Sequence, residues 1–333
     1  MIHFHRMSLE DRSSYDAYLM ETPPRGCEYS FANLFLWGRQ SIAYLHGCVA
    51  FFSHYYGRTV YPHPIGQGDI RAVIEEIIAD SRERGIPCRI TGMNEQELEQ
   101  LESWFPGQFE MVCDRDSYDY IYDIDDLADL RGKKYQKKRN HVNRFRLSHP
   151  DCRVLPLDEN TKEAAQSMIE SWFATRHTTD PQGDYLLESI AVSKAFRNLE
   201  ALGMEGIVLM EGSRVLAVTL GSRMGADTFD IHFEKAREDV DGAYAAVNCE
   251  FARYLRLKYP EVRYLNREDD LGLEGLRKAK LAYLPVRRVE KCRAVLREDI
   301  YEDCPPGRKP ISGAPGAVER SLRGFGCIFG SVL

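Results

Sequence analysis

Between residues 207 and 265, three strand-like runs, a helix pattern and a fourth strand-like run follow one another with little slack. That order constrains the fold more than any other feature of the chain. Ile207–Met210, Val215–Ser222 and Thr228–Glu234 are rich in β-branched, aliphatic and aromatic residues. Their connectors, Glu211-Gly212-Ser213 and Met224–Asp227, are short and hold glycine, so the runs predict an antiparallel meander. Ala243–Lys258 then places Val247, Phe251, Tyr254 and Leu255 on one helical face, and Pro260 stops it before a strand at Val262–Leu265. Upstream, Ala165, Met168, Ile169, Trp172 and Phe173 recur at helical spacing, and a further helix is predicted over Leu186–Leu202. The pattern is that of an α/β unit, its sheet largely antiparallel and flanked by helices.

The first third reads as a second such unit. Residues 28 to 66 alternate aromatic and polar positions and predict short strands and turns around Gly38, Gly47 and Gly57. Asp69–Arg84 carries Ile70, Val73, Ile74, Ile77 and Ile78 on one helical face, with Gly85 as its stop. A strand at Cys88–Thr91, a helix at Asn94–Phe105 and a strand at Tyr118–Tyr122 follow. A chain of 333 residues accommodates two such units. Their expected limits are 1–129 and 130–300, with the Gly-, Pro- and Ser-rich stretch 301–333 expected to be a poorly ordered tail.

Composition narrows the function. A net charge of −7 argues against a chain that coats nucleic acid as a whole, and no DNA partner is expected, but a local basic groove stays open. No stretch reaches the length of a membrane helix and the start lacks a signal-peptide pattern, so a cytoplasmic protein is expected. Nine cysteines without a close pair argue against a disulfide framework and a zinc site. His141, His177 and the pair His54/His63 lack ligand-like spacing; no metal and no permanently bound cofactor are expected.

Three segments could carry chemistry. Residues 114 to 129 hold seven aspartates, whereas 131 to 146 hold eight Lys or Arg and no acid. The basic run, with Lys133, Lys134, Lys137, Lys138 and Arg139, could contact phosphates of RNA or an anionic head group, or merely form a solvated helix face. In Thr228–Lys235, strand alternation predicts Asp230, His232 and Glu234 on one face, as a general base with its orienting partners or as the wet side of a sheet. Third, Tyr264–Pro285 leads from a strand through a polar loop into a helix bearing Arg277, Lys278 and Lys280, at a strand end where ligands commonly bind. By contrast, Arg237-Glu-Asp-Val-Asp-Gly242 has three acids where a coenzyme A pyrophosphate would need a glycine-rich cradle.

The chain resembles a bacterial family grouped with the C-terminal, catalytic domain of phosphatidylglycerol lysyltransferase. The similarity rests on Phe31-Ala-Asn-Leu, His63-Pro-Ile-Gly, Asp114–Tyr122, Gly132–Asn140, His232-Phe-Glu-Lys-Ala236 with Gly242-Ala-Tyr, and Asn266–Gly272 through Lys280. The resemblance implies two tandem acetyltransferase-type domains and transfer of an amino acid from a charged tRNA to a lipid or other hydroxyl or amine acceptor. It implies His232, Glu234 and Lys280 as catalytic residues, and Asp230, Lys235, Tyr244, Asn266, Arg267, Glu268 and Arg277 as substrate-binding ones. The basic helix would meet tRNA or phospholipid head groups at the inner membrane face. The alternatives are an acyl-CoA-dependent N-acyltransferase and a non-catalytic module that binds anionic lipid or RNA.

Overall fold

The computed structural model describes residues 1–22, 25–38, 40–55, 58–175 and 184–299. The expected tail, the turn at Gly57 and His177 lie outside the described residues. Two units are distinguished: Met1–Tyr118 joined by the segment that begins at Val289, and Asp119–Arg288. The second unit is thus an insertion in the first.

The first unit runs β1 (His5–Arg6), α1 (Arg12–Glu21), α2 (Phe31–Trp37), β2 (Gln40–Leu45), β3 (Cys48–Tyr55), β4 (Arg58–Pro62), β5 (Ile65–Gly66), α3 (Ile70–Arg84), β6 (Arg89–Met93), α4 (Glu95–Trp104) and β7 (Phe109–Cys113). The second runs β8 (Asp119–Asp123), α5 (Ile124–Asp129), α6 (Gln136–Ser148), β9 (Arg153–Pro156), α7 (Lys162–Ala174), α8 (Asp184–Arg197), β10 (Met204–Glu211), β11 (Arg214–Arg223), β12 (Thr228–Ala236), α9 (Ala243–Lys258), β13 (Tyr264–Asn266), α10 (Glu274–Leu281) and β14 (Arg287–Val289). The chain then returns through β15 (Cys292–Leu296), which fills the slot between β6 and β7 in the first sheet.

That sheet has the order β1-β2-β3-β4-β6-β15-β7, with β5 beside β3; the second has the order β14-β8-β13-β12-β11-β10-β9. Each is mixed: β4 and β6 are parallel, as are β12 and β13, and the other pairings described are antiparallel. The architecture is α/β with two helix-flanked sheets. The division falls at Tyr118/Asp119 and not at the expected 129/130, because β8 pairs with β13 and so belongs to the second sheet.

Local signals explain most elements. In the first unit, Asp69 accepts a hydrogen bond from the Ala72 amide at 3.0 Å and caps α3, while Gly85, at φ 65°, ends it in the left-handed region. Val73, Ile74 and Ile77 of α3 are buried, each such side chain contributing about 1.5–3 kcal/mol relative to exposure. The reading of residues 31–37 as strand is corrected. Phe31, Leu34 and Phe35 stand at helical spacing, Ser30 caps the Asn33 amide and Gly38 closes the turn at φ 58°. A second correction concerns the cysteines. Cys113 and Cys292 face each other across β7 and β15, Cα atoms 4.2 Å apart, and form a disulfide. A separation of 179 residues hides that pair from any spacing argument.

The third correction lies in β12. Register with β11 shifts between Leu220, opposite Phe233, and Gly221, opposite Ile231, leaving His232 as the extra residue of a β-bulge. The bulge reverses the alternation. Phe229 packs on Phe251 of α9 and Glu234 is bonded by Asn248 of the same helix, whereas Asp230 and His232 share the opposite face with Lys235, which meets α7 and α8. Asp230, His232 and Glu234 therefore do not line one face.

The bulge requires a glycine, since a Cβ at Gly221 would fall inside van der Waals contact of the Asp230 carbonyl oxygen. Gly221→Ala is expected to lower unfolding free energy by about 1–3 kcal/mol, as overpacking does. Urea denaturation measures it, and an unchanged midpoint would show that the strand pair yields without cost.

Candidate active site

On the α9 face of the second sheet, a cavity of about 320 Å³ is lined by Glu234 of β12, the loop Arg237–Gly242, the first turn of α9, Arg267, Lys138 and His141 of α6, and Leu276, Ala279, Lys280 and Tyr283. Three cations converge there. Arg267 lies over the Tyr283 ring at 5.0 Å and donates to Glu234 Oε1 at 2.9 Å. Glu234 also accepts from Asn248 Nδ2 at 3.3 Å, so both carboxylate oxygens are held. Lys138 places its Nζ 3.9 Å from the Tyr283 ring centroid. Burial, reinforced by the Arg267 charge, pulls the Lys138 amine down from 10.5 to about 8.

Lys280 is buried at the cavity wall and donates to the Arg267 carbonyl. Burial lowers its pKa, and the Asp269 carboxylate opposes that shift. The short helix α10 is fixed by its own ends: Arg277 grips Asp270 through two bonds, Nε to Oδ2 at 2.8 Å and Nη2 to Oδ1 at 2.9 Å, and the Tyr120 hydroxyl adds a third at 2.5 Å.

The residues expected from the sequence separate into groups. Glu234, Tyr244, Arg267 and Lys280 line the cavity. Arg277 does not; its guanidinium is engaged by Asp270. Asn266 bonds Asp119 through Nδ2 at 2.8 Å and accepts the Glu268 amide at 2.7 Å, which shapes the loop after β13. Lys235 is fully buried, 2.7 Å from Glu188 Oε1 and 4.1 Å from the Trp172 ring centroid. Asp230, His232 and Glu268 gather on the other face of β12 from the cavity. His232 Nε2 lies 2.8 Å from Ser222 Oγ, and burial holds the ring below its usual pKa.

The basic helix is divided as well. Lys133 and Lys137 are exposed, Lys134 pairs with Asp126 at 3.1 Å, and Arg139 caps the carbonyls of Leu130 and Gly132. Lys138 instead turns inward to the cavity, a placement that a run of like charges does not disclose. His141 and Tyr283 were missed at the sequence level. Tyr283, two residues beyond the end of α10, would have needed the tertiary contact with Arg267 to be recognised.

The acidic loop before α9 is also built in. Asp239 pairs with Arg214, Asp241 with Arg144 at 2.6 Å, and Arg237 Nε donates to the Val215 carbonyl at 3.0 Å. Glu238 and Asp241 still border the cavity.

Residues 20–295 match the family model described as phosphatidylglycerol lysyltransferase, C-terminal. The chain belongs to that family. Family membership supports a transferase of the acyltransferase type. The crystal structure of a conserved protein of unknown function from Bacteroides thetaiotaomicron is 36% identical, with a TM-score of 0.84 over 89% of this chain and 100% of that one. The structure of L-PGS from Bacillus licheniformis shares the fold at 16% identity, with a TM-score of 0.63 over 86% of this chain and 92% of that one. An uncharacterized protein of Mycoplasmoides gallisepticum is 22% identical over 192 residues, 57% of this chain; the match spans 58% of that relative's length. No helix among the described residues is long and apolar enough to cross a membrane.

Two outcomes follow from this geometry. Reductive ¹³C-methylation should reveal one lysine resonance that titrates near pH 8, and it should vanish in Lys138→Met; because the amine loses its charge as pH rises through 8, anion binding in the cavity should weaken over the same range. Removing one partner of the buried Lys235–Glu188 pair, as in Glu188→Leu, should cost about 3–5 kcal/mol, and the double variant Lys235→Met/Glu188→Leu much less. Chemical unfolding of Glu188→Leu, Lys235→Met and the double variant checks this; a double-variant loss equal to the sum of the two single losses would mean the charges do not depend on each other.

Proposed function

We propose that the cavity on the α9 face transfers an aminoacyl group from a charged tRNA to a hydroxyl or amine acceptor. The observation that carries this reading is the convergence of Lys138, Arg267 and Lys280 on one small cavity that also contains Glu234 and is bordered by Glu238 and Asp241. Cations suit the oxygen that gains charge when an ester carbonyl is attacked, and acids suit the ammonium of an amino acid. The family description, with lysine as the group moved in its name, supports the same reading.

In the proposed reaction the acceptor oxygen or nitrogen bonds to the ester carbonyl carbon, and the bond from that carbon to the terminal ribose oxygen of the tRNA breaks. The proton leaving the acceptor ends on the departing ribose hydroxyl. Lys280 and Arg267 would face the carbonyl oxygen during attack. Lys138, with its amine near 8, could relay the proton. The exposed Lys133 and Lys137, beside that inward-facing lysine, would meet tRNA phosphates or an anionic head group. The site would then serve a protein working in the cytoplasm or against the inner face of a membrane.

Acyl-CoA is the weaker donor. Its pyrophosphate would meet Glu238 and Asp241 at the start of α9, where phosphate recognition needs unopposed amides.

The experiment is a transfer assay with tRNA charged with labelled amino acids and an extract that supplies lipid, small-molecule and protein acceptors. Protein-dependent movement of label is expected, with Lys280→Met at least about 100-fold slower, the scale of losing one oxyanion contact. Absence of any protein-dependent discharge of tRNA, together with stabilisation by a CoA thioester, would overturn the proposal.

A further inference from the structure

Behind the cavity, on the opposite face of β12, Asp230, His232 and Glu268 bring one ligand-type atom each within 4.8 Å of one another, and all three side chains are buried. They come from two segments of the chain: His232 is the bulge residue of β12 and Asp230 stands two residues before it, while Glu268 follows β13. His232 is 3% exposed. Its Nε2 is engaged by Ser222 Oγ at 2.8 Å, which fixes the ring. Its Nδ1 makes no hydrogen bond, yet points at two carboxylates, 3.5 Å from Asp230 Oδ2 and 3.7 Å from Glu268 Oε1.

The distances distinguish between the two things that could sit among these atoms. A proton shared between imidazole and carboxylate draws the heavy atoms to about 2.7–2.9 Å. A metal ion holds them apart: with bonds of about 2.0–2.1 Å, neighbouring tetrahedral ligands stand roughly 3.3–3.5 Å from each other. The observed spacings lie near the second value. When Nε2 carries the ring proton toward Ser222, Nδ1 presents a lone pair on the side of the two carboxylates, the form in which an imidazole binds a metal. The hydrogen bond from the far ring nitrogen is also the usual means of orienting a histidine ligand.

We propose that Asp230 Oδ2, His232 Nδ1 and Glu268 Oε1 form a binding site for one divalent transition cation, zinc or manganese by the chemistry of one imidazole and two carboxylates. The site would be structural. It pins the bulged segment of β12 to the loop after β13, and that loop presents Glu268 to one face of β12 and the neighbouring Arg267 to Glu234 on the other. Glu268 takes φ 57°, the left-handed region, which a non-glycine residue holds at some cost and which a metal bond to its side chain would offset. The proposal does not depend on the reaction assigned to the cavity.

The test uses the untagged full chain, dialysed against chelator and then titrated separately with Zn²⁺, Mn²⁺ and Co²⁺. Expected are one equivalent of metal retained through desalting, a rise in melting temperature on reloading, and at least a tenfold loss of affinity in His232→Ala and Glu268→Gln. Glu268→Gln keeps the side-chain volume and serves if His232→Ala does not fold; circular dichroism identifies which variants are folded. With Co²⁺, visible d–d bands without thiolate charge transfer are expected. Failure of the unaltered protein to retain metal would overturn the proposal, as would unchanged affinity in a folded Glu268→Gln or thiolate bands that reveal cysteine ligands. Any of these results leaves the transfer assay to stand by itself.

Discussion

The second unit depends on one extra residue in a strand. Without the bulge at His232, strict alternation would put Asp230, His232 and Glu234 on one side of the sheet, three ionisable groups stacked together against a single helix layer. With it, Glu234 turns toward α9 and meets Arg267 and Asn248, while Asp230 and His232 stay with Ser222 and Glu268. A glycine makes this possible, because only at a residue without Cβ can β11 approach the Asp230 carbonyl so closely. One local irregularity thus creates two polar neighbourhoods, separated by the thickness of a strand.

Burial gives those neighbourhoods their character. Charged groups leave water only when partners replace it, and the cations of the cavity are each supported differently. Arg267 has a carboxylate and two aromatic rings, Lys138 an aromatic face, and Lys280 a backbone carbonyl. For Lys138, burial and the nearby Arg267 charge outweigh that support and bring the amine down from 10.5 to about 8. Arg267 keeps its charge across any physiological pH, so the cavity combines a permanent cation with an adjustable one.

Much of the fold was legible because local chemistry and tertiary need agreed. The cap at Asp69, the stop at Gly85, the meander of β10, β11 and β12 and the limits of α9 are all written in adjacent residues. Helix α2 was misread because its apolar spacing is short and its Ser30 cap is easily taken for part of a turn. The Cys113–Cys292 bridge and the pairing of β8 with β13 could not be read, since each joins segments far apart in the chain: the inserted unit separates the two cysteines, and most of that unit lies between β8 and β13. Of the site, the residue types were legible and their directions were not. Lys138 belongs to a run that looks solvated, and Arg277 to a motif that looks like a ligand site; the fold turns the first inward and engages the second with Asp270.

The loop after β13 shows why a sequence motif can be informative and still mislead about roles. Asn266, Arg267, Glu268 and Asp270 are consecutive or nearly so, and each does something different: Asn266 shapes the turn, Arg267 faces the cavity, Glu268 faces His232, and Asp270 anchors α10. The left-handed conformation at Glu268 lets these four polar side chains, within five residues, diverge in this way. A regular strand or helix would have sent them in two directions or around one axis. The irregular backbone is therefore what allows one short segment to serve a cavity on one side of the sheet and a buried Asp–His–Glu cluster on the other. Any substitution that relaxed it toward regular geometry would disturb both together.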